Sequence, residues 1–134
     1  MKILLVIFVL FTKFVNAEVI NIDNRELSNL IKKKIKIIDV RTQNEWELTG
    51  IIKNSFLTSL LNKNKKFIFQ DWYEIFNNKF YRNKSIIFIC ASGVRSNYIS
   101  HLVKKKKPEL TIYNLRKGIN NWIRSGYKIQ RLSN

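Results

Sequence analysis

The chain of 134 residues contains one cysteine, one proline, one histidine and four glycines, and only nine of its residues are acidic. A single cysteine, Cys90, excludes an internal disulfide, and one cysteine with one histidine cannot supply the usual four ligands of a structural zinc site. With so little glycine and proline there is no low-complexity block, and no linker or internal repeat divides the chain. No apolar run approaches the ~20 residues that a membrane-spanning helix needs. The scarcity of acid leaves a formal charge of +16, which by itself suggests nucleic acid or an anionic membrane as partner. The excess, however, is 18 lysines against 7 arginines. This is a compositional bias rather than the arginine forks of a phosphate-reading surface, so no nucleic acid is expected as partner. The densest cluster, Lys104 to Lys107, closes a predicted helix just before Pro108. Cations complement the helix dipole there, and a solvated helix end is expected.

What is present suits one globular domain. Apolar residues make up 46% of the chain and aromatics 13%, enough to fill a core and to exclude global disorder. The first 17 residues, MKILLVIFVLFTKFVNA, have Lys2, an apolar run from Ile3 to Phe11, and a Val15-Asn16-Ala17 ending. That is the layout of a signal peptide cleaved after Ala17, leaving residues 18–134 as the mature domain with no transmembrane span. Export to a periplasm is the expectation, with secretion or an uncleaved anchor as alternatives.

Along residues 18–134, strand and helix signals alternate. EVINI reads as a strand, and Asp23 or Asn24 can cap a helix that places Leu27, Leu30 and Ile31 on one face. IKIIDV is a continuous apolar strand ending at Asp39, and Thr42 and Glu45 form a capping box for a short helix that stops near Gly50. NSFLTS reads as a short extended piece. FIFQDWYEIFNNKF carries apolar residues at helical spacing, and KSIIFIC is a buried strand followed by a helix through RSNYISHLVKKKK. LTIYNL and INNWIRSGY complete the series. Continuous apolar strands separated by helices predict an α/β fold, a doubly wound, mainly parallel sheet with helices on both faces. Ligands of such sheets bind at the carboxyl ends of the strands, where Asp39 and Cys90 both fall.

Cys90 opens the stretch Cys90-Ala91-Ser92-Gly93-Val94-Arg95-Ser96 between a strand and a helix. Small residues let the backbone curl around the sulfur, and a curl ahead of a helix aims N–H groups at one point, forming an anion-binding nest. The helix dipole and Arg95 add positive potential, so the segment favours a nucleophilic thiolate and equally an anion bound to it. The bland alternative is a small apolar residue ending a buried strand. The loop and the arginine that follow argue for reactivity.

CASGVRS resembles the active-site loop of the rhodanese-domain sulfurtransferases, and three further stretches are similar to that family in the right order. IIDVRTQNEWELTGII resembles its first signature, NSFLTS stands where its short second signature lies, and YNLRKGINNWIRSGYKI resembles its C-terminal signature. Ile51 stands where the family often has histidine, and Lys117-Gly118 where it usually has two glycines. The resemblance implies a single-domain sulfurtransferase without a cofactor. In it Cys90 would take a sulfane sulfur from a small anionic, thiosulfate-like donor, hold it as a persulfide and pass it to cyanide, a thiol or a sulfur-accepting protein. Residues Ala91, Ser92, Gly93, Val94, Arg95 and Ser96 would form the substrate-binding loop, with Arg95 orienting the donor and Ser92 and Ser96 adding hydroxyls. Ser96 is equally suited to cap the helix. The four residues between Cys90 and Arg95 suit sulfur, since related phosphatases have five. Ala91 and Arg95 also differ from a mercaptopyruvate-specific loop, which has glycine and threonine there. The alternative within the family is a non-enzymatic partner-binding or sulfur-carrier module.

Asp39 and Arg41 are candidates for bracing the loop, the alternative being a salt-bridged strand end with Glu45 as partner of Arg41. His101 fits an amphipathic helix better than a general base. Trp46, Trp72 and Trp122 read as core. Tyr98 fits either a pocket wall or helix packing. A free thiol in an oxidising compartment needs the shelter of a persulfide or of its loop.

Overall fold

The computed structural model describes residues 18–133, so the expected signal peptide lies outside the described residues. Strands β1 (Ile20–Ile22), β2 (Lys36–Asp39), β3 (Phe56–Leu57), β4 (Ser85–Ile89) and β5 (Thr111–Leu115) form one sheet in the order β1-β5-β4-β2-β3. Every strand pair in it is parallel. Helices α1 (Asn24–Lys32), α2 (Gln43–Thr49), α3 (Phe69–Phe80), α4 (Val94–Lys106) and α5 (Gly118–Arg124) connect or follow the strands. The predicted doubly wound α/β fold is the observed one.

Two apolar layers sandwich the sheet. Strand alternation sends Ile38, Val40, Ile86, Phe88, Cys90 and Ile112 to one face, where α3 and α4 cover them with Trp72, Phe76, Phe80, Ile99 and Val103. The opposite parity sends Ile22, Ile37, Ile87, Ile89 and Leu115 to α1 and α5, which contribute Leu27, Leu30, Ile119 and Trp122. Central β4 is the hub: every residue from Ile86 to Cys90 is fully buried. The aromatic run of α3 is core, as its spacing predicts. Trp72 and Phe76 stack at 5.4 Å, and Phe76 meets Phe88 of β4 at 5.7 Å. Burying a side chain of that size contributes about 1.5–3 kcal/mol.

Of the two candidate caps for α1, Asp23 is the one that acts, and Thr42 caps α2 as expected. Asp23 accepts from the Glu26 amide and Thr42 from the Glu45 amide, each glutamate returning the bond to the cap's own N–H. Beyond α2, Ile51 is buried and exchanges two backbone hydrogen bonds with Gln130 (2.9 and 2.7 Å), strapping the C-terminal segment across the sheet end. The solvated end expected at Lys104 to Lys107 is only half correct. Lys104 is buried with its Nζ 2.6 Å from the Leu110 carbonyl, and Lys107 Nζ lies 3.3 Å from the Tyr81 carbonyl. These two ammonium groups tie loops down, because their long stems reach carbonyls the chain leaves open after α4 and α3.

Candidate active site

Cys90 follows β4 directly, at the carboxyl edge of the sheet, with its side chain fully buried. The loop after it turns at Gly93, whose backbone is left-handed (φ 93°) and whose amide N–H points back to the sulfur at 3.1 Å. A hydroxyl comes from α4. Ser96 is on the inward stripe with Ile99, Ser100 and Val103, and its Oγ lies 3.3 Å from the Cys90 sulfur. Its hydroxyl therefore lies against the sulfur, and the helix cap position belongs to Gly93. Ser92 is exposed on the loop. A sulfur that receives an N–H and lies beside a hydroxyl at a helix N-terminus is placed to carry negative charge.

The loop is interlocked with the turn between β5 and α5. The Ile119 and Asn120 amides donate to the Cys90 and Ala91 carbonyls at 2.9 and 3.1 Å. Two glycines permit this approach. A β-carbon on Gly118 would lie 2.1 Å from the Ala91 carbonyl oxygen, and one on Gly93 would lie 2.0 Å from that of Arg116. Lys117, at φ −98°, needs no such freedom, which is why one glycine is enough in this turn.

Arg95, in the first turn of α4, is partly exposed and not free. Its guanidinium grips the Glu45 carboxylate with two bonds, at 2.9 and 2.5 Å. Those bonds, helped by the Thr42 amide and hydroxyl, hold the Glu45 carboxyl down at about 2, against its usual 4.5, despite the opposing effect of burial. The same bonds raise Arg95 above its ordinary value, with the Cys90 position adding to the effect. Glu45 therefore belongs to Arg95, and the alternative that pairs it with Arg41 does not hold. Arg41 instead binds Asp39 through Nε and NH2 (3.0 and 2.8 Å), the Thr49 hydroxyl (2.7 Å) and the Gly50 carbonyl (2.8 Å). Only the backbone oxygen of Glu45 comes near it, at 3.5 Å. The buried Asp39–Arg41 pair thus pins the C-terminal end of α2 to the end of β2, and α2 in turn presents Glu45 to Arg95. Its link to the Cys90 loop runs through that helix, not through direct contact.

Beside Arg95 lies a mainly apolar groove of about 250 Å³, walled by Leu60, Leu61, Phe67 and Tyr98 among others. Tyr98 is thus both a groove wall and an edge-to-face partner of Phe67. A larger hollow, about 460 Å³, lies at the opposite sheet end around Lys36 and Asn54, away from Cys90. His101 is exposed on α4, and the three tryptophans are buried. Among the described residues no cluster of three or more histidine, cysteine or acidic side chains could hold a metal, and no helix is long and apolar enough to cross a membrane.

The sequence did not reveal the group behind the sulfur. Ser96 Oγ lies 2.6 Å from Asn114 Oδ1, and Asn114 Nδ2 donates to Asn21 Oδ1 at 2.9 Å. Strand parity was the available signal, because Asn114 shares the face of Ile112, and β1 pairs Asn21 with Asn114 in register.

The family model described as Rhodanese-like domain matches residues 23–125. An uncharacterised protein of Rickettsia prowazekii is 40% identical over 77 residues, a match covering 49% of this chain and 58% of that protein. The chain thus spans less than two thirds of that relative. Among solved structures, a rhodanese-like domain protein of Staphylococcus aureus superposes with a TM-score of 0.64 at 25% identity, covering 85% of this chain and 99% of that one. A protein of M. tuberculosis gives 0.68 at 15% identity over 84% and 97%. A Saccharomyces cerevisiae protein, described as a homolog of single-domain rhodanese and the Cdc25 phosphatase catalytic domain, gives 0.64 at 16% identity over 82% of each.

Proposed function

The chain belongs to the rhodanese-like domain family, and on that premise we propose that it is a sulfurtransferase working through a persulfide on Cys90. One observation carries the reading: the Cys90 sulfur lies under a curled loop with the Gly93 N–H at 3.1 Å and the Ser96 hydroxyl at 3.3 Å, where a helix begins. An N–H aimed at the sulfur where a helix begins favours the thiolate, the nucleophilic form.

The proposed cycle has two displacements. The Cys90 thiolate attacks the outer sulfur of a thiosulfate-like donor. The donor's S–S bond breaks and its electron pair leaves with sulfite, so the outer sulfur stays on Cys90 as an anionic persulfide. A nucleophilic acceptor, cyanide or a thiolate, then attacks that sulfur, and the Cys90 thiolate departs. The Gly93 N–H faces the anion in every state, with the Ser96 hydroxyl beside it. Arg95 exchanges its Glu45 carboxylate for the oxygens of the donor, a fork-to-oxyanion contact of the same geometry. The apolar groove beside it receives the acceptor. No cofactor takes part. A phosphate-ester reading is less favoured, since only four residues separate Cys90 from Arg95 and the loop closes tightly on a single sulfur.

Thiosulfate:cyanide turnover with intact-mass measurement tests this. Expected are thiocyanate and a protein adduct of ~32 Da, one sulfur atom on the nucleophile, both absent in Cys90→Ser. Neither adduct nor turnover with several sulfane donors would leave the family's non-enzymatic module as the reading.

A further inference from the structure

Behind the Cys90 sulfur runs a chain of three polar side chains, Ser96, Asn114 and Asn21, ending at solvent. Ser96 is fully buried and Asn114 is 2% exposed, whereas Asn21 is exposed on edge strand β1. We infer that Asn114, held by Asn21, is a positioning residue that decides whether the Ser96 hydroxyl gives its proton to the Cys90 sulfur or withholds it. The inference rests on Cys90 being the residue that ionises and carries sulfur.

The argument is one of counting protons. A serine hydroxyl has one. Ser96 Oγ faces two acceptors, Asn114 Oδ1 at 2.6 Å and Cys90 Sγ at 3.3 Å. An amide oxygen only accepts, so the short contact takes the proton and the sulfur meets a lone pair. That polarity suits a thiol, whose S–H then donates to Ser96. It does not suit a thiolate or an anionic persulfide, which needs the Ser96 proton beside the Gly93 N–H. The chain reverses if both amides turn end for end. Asn114 Nδ2 then donates to Ser96, Ser96 donates to the sulfur, and Asn21 donates to Asn114 Oδ1. Each amide's oxygen and nitrogen exchange places, and no other heavy atom has to move. Asn114 is too buried to give up either bond, so it turns only when Asn21 exchanges acceptor for donor. Asn21 can make that exchange because it borders water. The resting structure therefore holds the thiol polarity, and the sulfur anion is matched by the reversed one.

The test fixes the polarity from the exposed end. Asn21→Asp can only accept and locks the thiol polarity, while Asn21→Lys can only donate and locks the reversed one. Cys90 alkylation by iodoacetamide at pH 7, followed by intact mass on the otherwise unchanged full chain, reads the outcome without requiring sulfur transfer. Loss of one hydrogen bond to an anion predicts about tenfold slower alkylation for Asn21→Asp, and Asn21→Lys is expected to match or exceed the parent. In a Ser96→Ala background the difference should disappear, because the relay is cut. A difference that persists there is a through-space charge effect and overturns the inference, as do equal rates for both variants. Asn114→Leu, which frees the Ser96 proton, is expected to follow Asn21→Lys. Slowing in that variant, with an unchanged thermal melt, would also overturn it. If the parent forms no persulfide while these rates still diverge, the sulfurtransferase reading fails and the relay stands.

Discussion

Glu45 and Arg95 show how one ion pair can be both structural and preparatory. Each side chain is partly open to water, 30% and 40% exposed, so the pair is worth at most about 1 kcal/mol. Its larger effect is on the site, since Arg95 is held at the start of α4 with its fork already matched to a carboxylate. The Glu45 carboxyl titrates near 2 in the folded protein against its usual 4.5. A depressed carboxylate contributes stability that is fully present above the unfolded value and is lost as pH falls through the folded one. The stability gap between the parent and Glu45→Gln should therefore be constant above about pH 4.5 and close between there and pH 2. Urea melts across that range would show it, and a gap unchanged at pH 2 would contradict the pairing. The same variant leaves Arg95 with a weaker partner, so its KM for thiosulfate should fall while kcat changes little. A raised KM would mean that Glu45 helps to hold the donor.

At the scale of elements, the sequence signals were strong wherever they were local. The cap before α1, the Thr42–Glu45 capping box, the α3 spacing and the apolar strands all predicted the elements observed. Contacts between loops were not legible. Gly118 reads in sequence as a turn glycine, and only the packed structure shows it pressed on the Ala91 carbonyl. Gly118→Ala places a β-carbon 2.1 Å from that oxygen at φ 67°. The left-handed backbone alone costs about 1–2 kcal/mol for a residue with a β-carbon. The clash adds to this and must move the Cys90 loop. A lower melting temperature and a loss of sulfur transfer larger than the stability loss explains are expected. A variant that melts lower yet turns over normally would show that the interlock supports the fold alone.

The molecule as a whole is a parallel sheet whose central strand delivers one cysteine to its carboxyl edge. Its basic charge finds partial use inside the fold, in Lys104 and Lys107, which bind carbonyls. We propose export with removal of residues 1–17 on the strength of that segment's pattern alone. Protein recovered from the cell envelope should then begin at Glu18 by N-terminal mass analysis, and retention of Met1 would overturn it.

The order of elements, the sheet type and the place of Cys90 followed from the sequence alone, because hydrophobic period, caps and turns are properties of neighbouring residues. The partners of the site residues did not. Glu45 and Arg95 are fifty residues apart and Ser96 and Asn114 eighteen. Which side chains meet across such distances depends on sheet order and strand register, and those are decided only when the two apolar layers close on the sheet.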